Sequence, residues 1–242
     1  MALHFVTQAG TTAHEGERVL LTGAEAKHAA VVRRVRVGES VTIGDGAGVW
    51  LEGVVEDVSA TEVAVRITAR REHPLPEVRI VLAQALAKGD RDELAVQAAC
   101  ELGVDEIVPW QASRSISRWE GPKAAKGRER WATIVREAAK QAHRPWVPEV
   151  SSVESTGQLA KRAADARMLV LDPTAQTALS SIRADERDLL LVVGPEGGIS
   201  AEELDRLTEA GAERVRLGDT VLRTSTAGPA AIALLSGILG RW

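Results

Sequence analysis

The sequence predicts an α/β protein in two parts, a small mostly-β N-terminal part and a larger C-terminal part in which strands and helices alternate. Three observations carry this. Short β-branched runs separated by turn signals fill residues 1 to about 70. The connector Arg71-Glu72-His73-Pro74-Leu75-Pro76-Glu77 follows, stiffened by two prolines. Beyond it, apolar runs alternate with helical patterns, as a parallel sheet requires.

In the first part, strands are expected at His4-Phe5-Val6, Arg18 to Leu21, Ser40 to Ile43, Val49 to Val55 and Glu62 to Thr68. Gly44-Asp45-Gly46-Ala47-Gly48 supplies a hairpin turn. One helix is expected to interrupt them, capped by Thr22-Gly23-Ala24-Glu25 and running through His28 to Arg34. Several short strands with one helix suggest a small barrel or half-barrel. The helix ends in the basic run Arg33-Arg34-Val35-Arg36.

In the second part, Val78 to Ala83 reads as a buried strand, and Lys88-Gly89-Asp90-Arg91 as the turn leading out of it. A helix with an Asp90-x-x-Glu93 capping signal follows, with Leu94, Gln97, Ala98, Glu101 and Leu102 at helical spacing. Glu106 to Pro109 is the next strand. A long helix is expected from about Gly127 to His143, with Trp131, Ile134, Val135, Ala138, Ala139 and Ala142 as its apolar stripe. Arg128, Arg130, Arg136 and Lys140 would then decorate its other side. Residues 110–150 hold nine lysines and arginines against four acids, a basic segment in a chain of net charge −4. A helix near 157–164, a strand at Arg167 to Leu171, a strand at Glu213 to Leu217 and an apolar helix from about Thr226 complete the chain.

The site signal lies near the C-terminus. Leu189-Leu190-Leu191-Val192-Val193 runs into Gly194-Pro195-Glu196-Gly197-Gly198, and Ser200-Ala201-Glu202-Glu203 opens a helix with a capping box. Ligands of α/β sheets bind at such strand–turn–helix junctions, outside the carboxyl ends of the strands. A second unusual stretch follows, Leu217-Gly218-Asp219-Thr220-Val221-Leu222-Arg223-Thr224-Ser225-Thr226-Ala227.

Several chemistries find no support. No Gly-x-Gly-x-x-Gly joins a strand to a helix, and no phosphate-loop or Gly-x-Ser-x-Gly motif occurs. The five histidines are scattered without metal-ligand spacing, so no metal is expected. Cys100 is the only cysteine; it reads as a small buried hydrophobe, and no disulfide is possible within the chain. No apolar run reaches a bilayer's thickness and no signal-peptide pattern opens the chain, so a cytoplasmic protein without a membrane partner is expected.

Gly194-Pro195-Glu196-Gly197-Gly198 followed by Leu217-Gly218 and Leu222-Arg223-Thr224 resembles the SPOUT class of S-adenosylmethionine-dependent RNA methyltransferases. Within it the chain looks most like the family that methylates N3 of a uridine in 16S rRNA of the small ribosomal subunit. The resemblance implies a PUA-like β-barrel domain over 1–72 and a SPOUT α/β methyltransferase domain over 73–242, with a trefoil knot near 190–235, and a homodimer. It implies S-adenosyl-L-methionine held by Leu171, Gly194, Pro195, Glu196, Gly197, Gly198, Leu217, Gly218, Leu222, Arg223 and Thr226. It also implies RNA contact through the N-terminal run, where His28, Arg33 and Gly38-Glu39 lie close to the family pattern. The candidate RNA-binding residues are Arg33, Arg34, Arg36, Lys88, Arg114 and Arg128.

Arg223 and Arg144 are the catalytic candidates, because a guanidinium can stabilise the uracil anion and cannot itself lose its proton. No general base stands out. Where the family usually reads Leu-Arg-x-Glu-Thr-Ala, this chain has Ser225 in place of the glutamate; Ser225 or Thr226 is expected to act as the N-cap of the last helix. Two other functions fit the same residues, a ribose 2′-O-methyltransferase of the same class and a catalytically silent RNA-binding adaptor.

Overall fold

The computed structural model describes residues 3–7 and 9–242. The chain divides into two compact units, Met1–Leu75 with Ala139–Val147, and Pro76–Ala138 with Pro148–Trp242.

The N-terminal unit holds strands β1 (Leu3–Val6), β2 (Arg18–Thr22), β3 (Ser40–Gly44), β4 (Val49–Val58) and β5 (Glu62–Glu72) in one sheet of order β1-β3-β4-β5-β2. β1 and β3 are parallel; the other pairs are antiparallel. Alternation along β4 turns Val49, Leu51, Gly53 and Val55 inward, where they meet Phe5, Leu21, Ile43, Val65 and Ile67. Two register shifts, at Glu52/Gly53 and Val55/Asp57, bend β4. Gly53 is required at the first, since a Cβ there would lie 2.6 Å from the Arg66 carbonyl oxygen.

The expected helix over 22–34 is shorter and irregular. Helix α1 spans Gly23–Lys27, and His28–Val32 widens into a π-helical turn. Thr22 makes no side-chain cap. Glu25, expected in the capping box, instead accepts from the backbone N–H of Val6 and from Lys140 Nζ at 2.6 and 2.8 Å. Residues 139–147 join this unit through the hairpin turn between β3 and β4. Gly48 N–H donates to the Pro145 carbonyl at 3.0 Å, and Val147 N–H donates to that of Gly46 at 3.0 Å.

The second unit is built on one parallel sheet. Its elements are β6 (Ile80–Ala85), α2 (Arg91–Glu101), β7 (Glu106–Gln111), α3 (Pro122–Gln141, whose last turn belongs to the first unit), β8 (Glu149–Val150), β9 (Glu154–Ser155), α4 (Thr156–Lys161), β10 (Arg167–Leu171), β11 (Thr177–Ala178), β12 (Leu189–Val193), α5 (Ala201–Glu209), β13 (Glu213–Arg216) and α6 (Thr224–Ile238). The strand order is β11-β13-β10-β12-β6-β7-β8, with β9 also on β7. β6 and β12 are buried along their whole length, as continuous apolar runs in a two-sided parallel sheet require. Val81, Ala83, Leu190 and Val192 face Leu159 of α4 and Leu207 of α5. The alternate residue Leu82 faces the opposite way, onto α6 at Gly228, where a Cβ would stand 3.2 Å from the leucine.

Three readings of helix faces need correction. In α2 the buried residues are Asp92, Ala95, Val96, Ala99 and Cys100, while Leu94 is exposed. Asp90 makes no cap; the buried Asp92 carboxylate accepts the Ala87 N–H instead. Helix α3 begins five residues earlier than expected, at Pro122, because proline suits the first helical position and Trp119 packs over Gly127. Lys140, expected on its polar side, is only 3% exposed, and Ala142 is exposed. The cause is the Glu25 carboxylate, which pairs with Lys140 from 115 residues away. Cys100 is fully buried as expected, its Sγ 3.4 Å from the Val135 carbonyl oxygen. Among the described residues no helix is long and apolar enough to cross a membrane.

Helix α6 buries Ile232 and Leu235 within the second unit and leaves Leu234, Ile238 and Leu239 half-covered.

Candidate functional site

All strands of the second sheet are parallel, so their carboxyl ends share one edge. A cavity of about 640 Å³ lies there, against the ends of β10, β12 and β13. Leu171, Asp172 and Thr174 come from the first, Val193 to Glu196 and Gly198 from the second, and Arg216 to Gly218 and Thr220 to Thr224 from the third. Such a loop-lined pocket at the strand ends is the usual place for a small ligand in a parallel α/β domain.

The glycine turn is shaped by close approach. Gly198 has φ +72°, a left-handed conformation that suits glycine, and its N–H closes the turn on the Pro195 carbonyl at 2.9 Å. A Cβ on Gly194 would lie 2.7 Å from Ile199 Cγ1. The Glu196 carboxylate accepts from the Lys88 backbone N–H and from Arg91 at 2.9 Å. Burial opposes its charge, but these bonds and its own N–H outweigh that and hold the carboxyl below the usual glutamate value. Asp172 is similar: burial opposes its charge, while the Thr174 N–H and hydroxyl and Arg214 hold it ionised. Both carboxylates therefore spend their charge on fixing the loops.

Of the residues expected to hold a cofactor, Leu171, Gly194, Pro195, Glu196, Gly198, Leu217, Gly218, Leu222 and Arg223 line this one cavity. Gly197 stands beside it and accepts from Arg114 Nη1 at 3.1 Å, and Thr226 is exposed on the first turn of α6. Arg223 is exposed and, among the described residues, its guanidinium has no ion-pair partner. Arg144 belongs to the N-terminal unit, just after α3. Arg33, Arg34 and Arg36 are exposed there too, Arg34 with φ +54°. Lys88, Arg114 and Arg128 are surface residues of the second unit, and Arg128 Nε donates to the Val150 carbonyl at 2.8 Å.

The start of α6 differs from the expectation. Arg223 is the N-cap residue and Thr224 the first helical one, so neither Ser225 nor Thr226 caps the helix. The buried Thr224 hydroxyl donates to the Gly194 carbonyl at 2.8 Å and accepts from Gln84 Nε2 at 2.9 Å. This chain of bonds ties β6, the glycine turn and the last helix together. Sequence reading missed it, because Gln84 is a polar residue in an apolar strand, 140 positions from its partner. Thr224→Val should leave Gln84 and Gly194 short of a partner and lower stability by about 1–3 kcal/mol. Urea unfolding with an unchanged slope would check it; an unchanged midpoint would contradict it.

The capping box at Ser200 and Glu203 is present, but the Glu203 carboxylate does more. It also accepts from Ser113 N–H at 2.9 Å and from the hydroxyls of Ser113 and Thr156, both at 2.6 Å. Burial opposes its charge, yet these bonds prevail and hold the carboxyl below its ordinary value. With the folded value the lower, its stabilisation is complete at neutral pH and is lost as pH falls from ~4.3 through the folded value. The stability gap between the native chain and Glu203→Gln should therefore narrow over that window. A gap that stays constant with pH would contradict this.

Among the described residues, no group of three or more His, Cys, Asp or Glu side chains is arranged to hold a metal. The pocket is bounded by backbone, apolar side chains, ion-paired loops and the exposed Arg223. Residues 73–236 match the model of an RNA methyltransferase domain, and residues 21–68 match that of an RNA methyltransferase PUA domain.

The chain is 42% identical to ribosomal RNA small subunit methyltransferase E of Mycobacterium tuberculosis, over 94% of this chain and 89% of the relative. It is 32% identical to that of Bacillus subtilis, over 98% and 96%. The crystal structure of ribosomal RNA small subunit methyltransferase E from Neisseria gonorrhoeae, bound to S-adenosylmethionine, superimposes with a TM-score of 0.88 at 29% identity, covering 98% of each chain. A Legionella pneumophila structure described as a putative methyltransferase with bound S-adenosylmethionine gives 0.85 at 28% identity, also covering 98% of each. The chain belongs to the ribosomal RNA small subunit methyltransferase E family.

Proposed function

We propose that this protein transfers a methyl group from S-adenosyl-L-methionine to N3 of a uridine in 16S rRNA of the small ribosomal subunit, acting in the cytoplasm. The observation that carries the proposal is the cavity enclosed by the Gly194–Gly198 turn and the 217–223 loop. Its lining fits the cofactor. Leu171, Val193, Ile199, Leu204, Leu217 and Leu222 offer apolar surface for a purine ring, and the glycines allow backbone approach. When bound, the cofactor supplies an electrophilic methyl group.

The chain's own part is positioning and charge. Loss of the N3 proton leaves an anion shared with the flanking carbonyl oxygens. Arg223, at the cavity edge and without an ion-pair partner among the described residues, can hold that charge while staying protonated. Arg144 is proposed for the same role and is tested by its own substitution. The exposed Arg33, Arg34, Arg36, Lys88, Arg114 and Arg128 are proposed to meet RNA phosphates. The domain division at 72/73 and the knot near 190–235 belong to the same proposal. Titration calorimetry of the intact protein with the cofactor tests its foundation: saturable binding supports it, and no heat from either the cofactor or its demethylated product would refute it.

A homodimer is part of the proposal. The half-covered Leu234, Ile238 and Leu239 of α6, with Val221 78% exposed and Leu94 exposed, offer apolar surface in the second unit. Light scattering at micromolar concentration should give twice the chain mass of 25.8 kDa. A monomeric mass would contradict it.

A further inference from the structure

From the basic segment 110–150, Arg114 reaches the glycine turn. Its stem lies along Gly197, where an added Cβ would stand 3.3 Å from Arg114 Cβ, and its Nη1 donates to the Gly197 carbonyl at 3.1 Å. Gly197, by lacking a side chain, makes room for this arginine.

The backbone that carries Arg114 is fixed on both sides. Glu203, in the first turn of α5, accepts from the N–H and hydroxyl of Ser113 at 2.9 and 2.6 Å. Arg118 Nη2 donates to the Ser113 carbonyl at 2.9 Å, and Ser115 N–H donates to that of Ala112 at 3.1 Å. Trp119 N–H donates to Gln111 Oε1 at 2.8 Å, and Ser115 is buried. Helix α5 in turn follows the glycine turn in the chain, with Ser200 as its cap. Loop and turn are thus mounted on the same helix end, and the long Arg114 side chain is the adjustable piece between them.

The bond to Gly197 is made to an uncharged group and uses one N–H of the guanidinium fork. Arg114 is exposed, which leaves its charge and its other donors for a second partner. A phosphate is the complementary group. We propose that Arg114 couples the two ligands of the reaction, clipping the cofactor turn at Gly197 with one edge while holding an RNA phosphate with another, so that each ligand tightens the other. The coupling rests on the RNA-methylating function above and deepens it. Fixing a long exposed arginine costs rotamer freedom. Whichever ligand binds first meets that cost, and the second finds the side chain already in place.

The test measures how tightly the intact protein binds unmethylated small ribosomal subunits, with and without saturating S-adenosylhomocysteine, the demethylated cofactor, which cannot react. The demethylated cofactor should tighten subunit binding about fivefold, and subunits should tighten its binding by the same factor, as linkage requires. Arg114→Gln should abolish this mutual effect. Arg114→Lys keeps the charge but not the fork, so it should retain most of the subunit affinity and its salt dependence yet lose the coupling. A residue that only meets phosphate, or only supports the fold, would not separate the two. Arg128→Gln is the comparison: it should weaken subunit binding and keep the native coupling. Native protein whose subunit affinity ignores the demethylated cofactor would overturn the proposal. So would native coupling retained in Arg114→Gln, or coupling lost in Arg128→Gln. Native protein that binds neither the subunits nor the demethylated cofactor would instead count against the methyltransferase function itself.

Discussion

Arg223→Gln is expected to slow methyl transfer by about 10²-fold, the cost of removing one preorganised donor to a developing anion. Arg223 is exposed, caps α6 through its backbone and has no ion-pair partner among the described residues. The substitution should therefore leave the unfolding midpoint and the cofactor affinity within a few-fold of native. Arg223→Lys retains charge without the planar fork and should recover part of the rate. Single-turnover assays at saturating cofactor separate the two effects. A rate that is unchanged, or a loss explained wholly by weaker cofactor binding, would take Arg223 out of the chemical step.

Gly194→Ala is expected to weaken cofactor binding at least tenfold, a loss of about 1.4 kcal/mol or more. The added Cβ would meet Ile199 Cγ1 at 2.7 Å and the Ile199 N at 3.4 Å, and Ile199 itself lines the cavity. The carbonyl of Gly194 itself accepts from Thr224, so a shift at Gly194 also disturbs the start of α6. Overpacking of this kind costs about 1–3 kcal/mol of stability. Gly237→Ala, where a Cβ meets nothing within 4 Å, serves as the control and should leave affinity unchanged. Equal affinities for the two variants would mean that the glycine turn does not hold the cofactor.

What sequence could reveal follows from the range of each interaction. The strand at 189–193, the turn after it and the Ser200–Glu203 capping box are local patterns, and all three stand in the structure. The buried polar groups are not local. Gln84 meets Thr224, Lys140 meets Glu25, and Glu203 meets Ser113 and Thr156, at separations no periodicity reports. Read alone, Lys140 is one more cation on a basic helix. The two-residue strands β8, β9 and β11 are too short to show alternation. The face of α2 was misread because its buried side is small: alanines, Val96 and Cys100 pack inward while Leu94 points out. The start of α6 was misplaced because serine and threonine are good caps in general. Here the threonine that matters is committed to Gly194 and Gln84 instead.

The most direct test is mass spectrometry of nucleosides. Small ribosomal subunits lacking the modification would be incubated with this protein and isotopically labelled S-adenosylmethionine, and their RNA digested. Labelled 3-methyluridine, absent when the protein is omitted, is the result this account expects. Label recovered only as a 2′-O-methyl nucleoside would contradict the uracil-N3 assignment, and no label in any nucleoside would contradict the methyltransferase function.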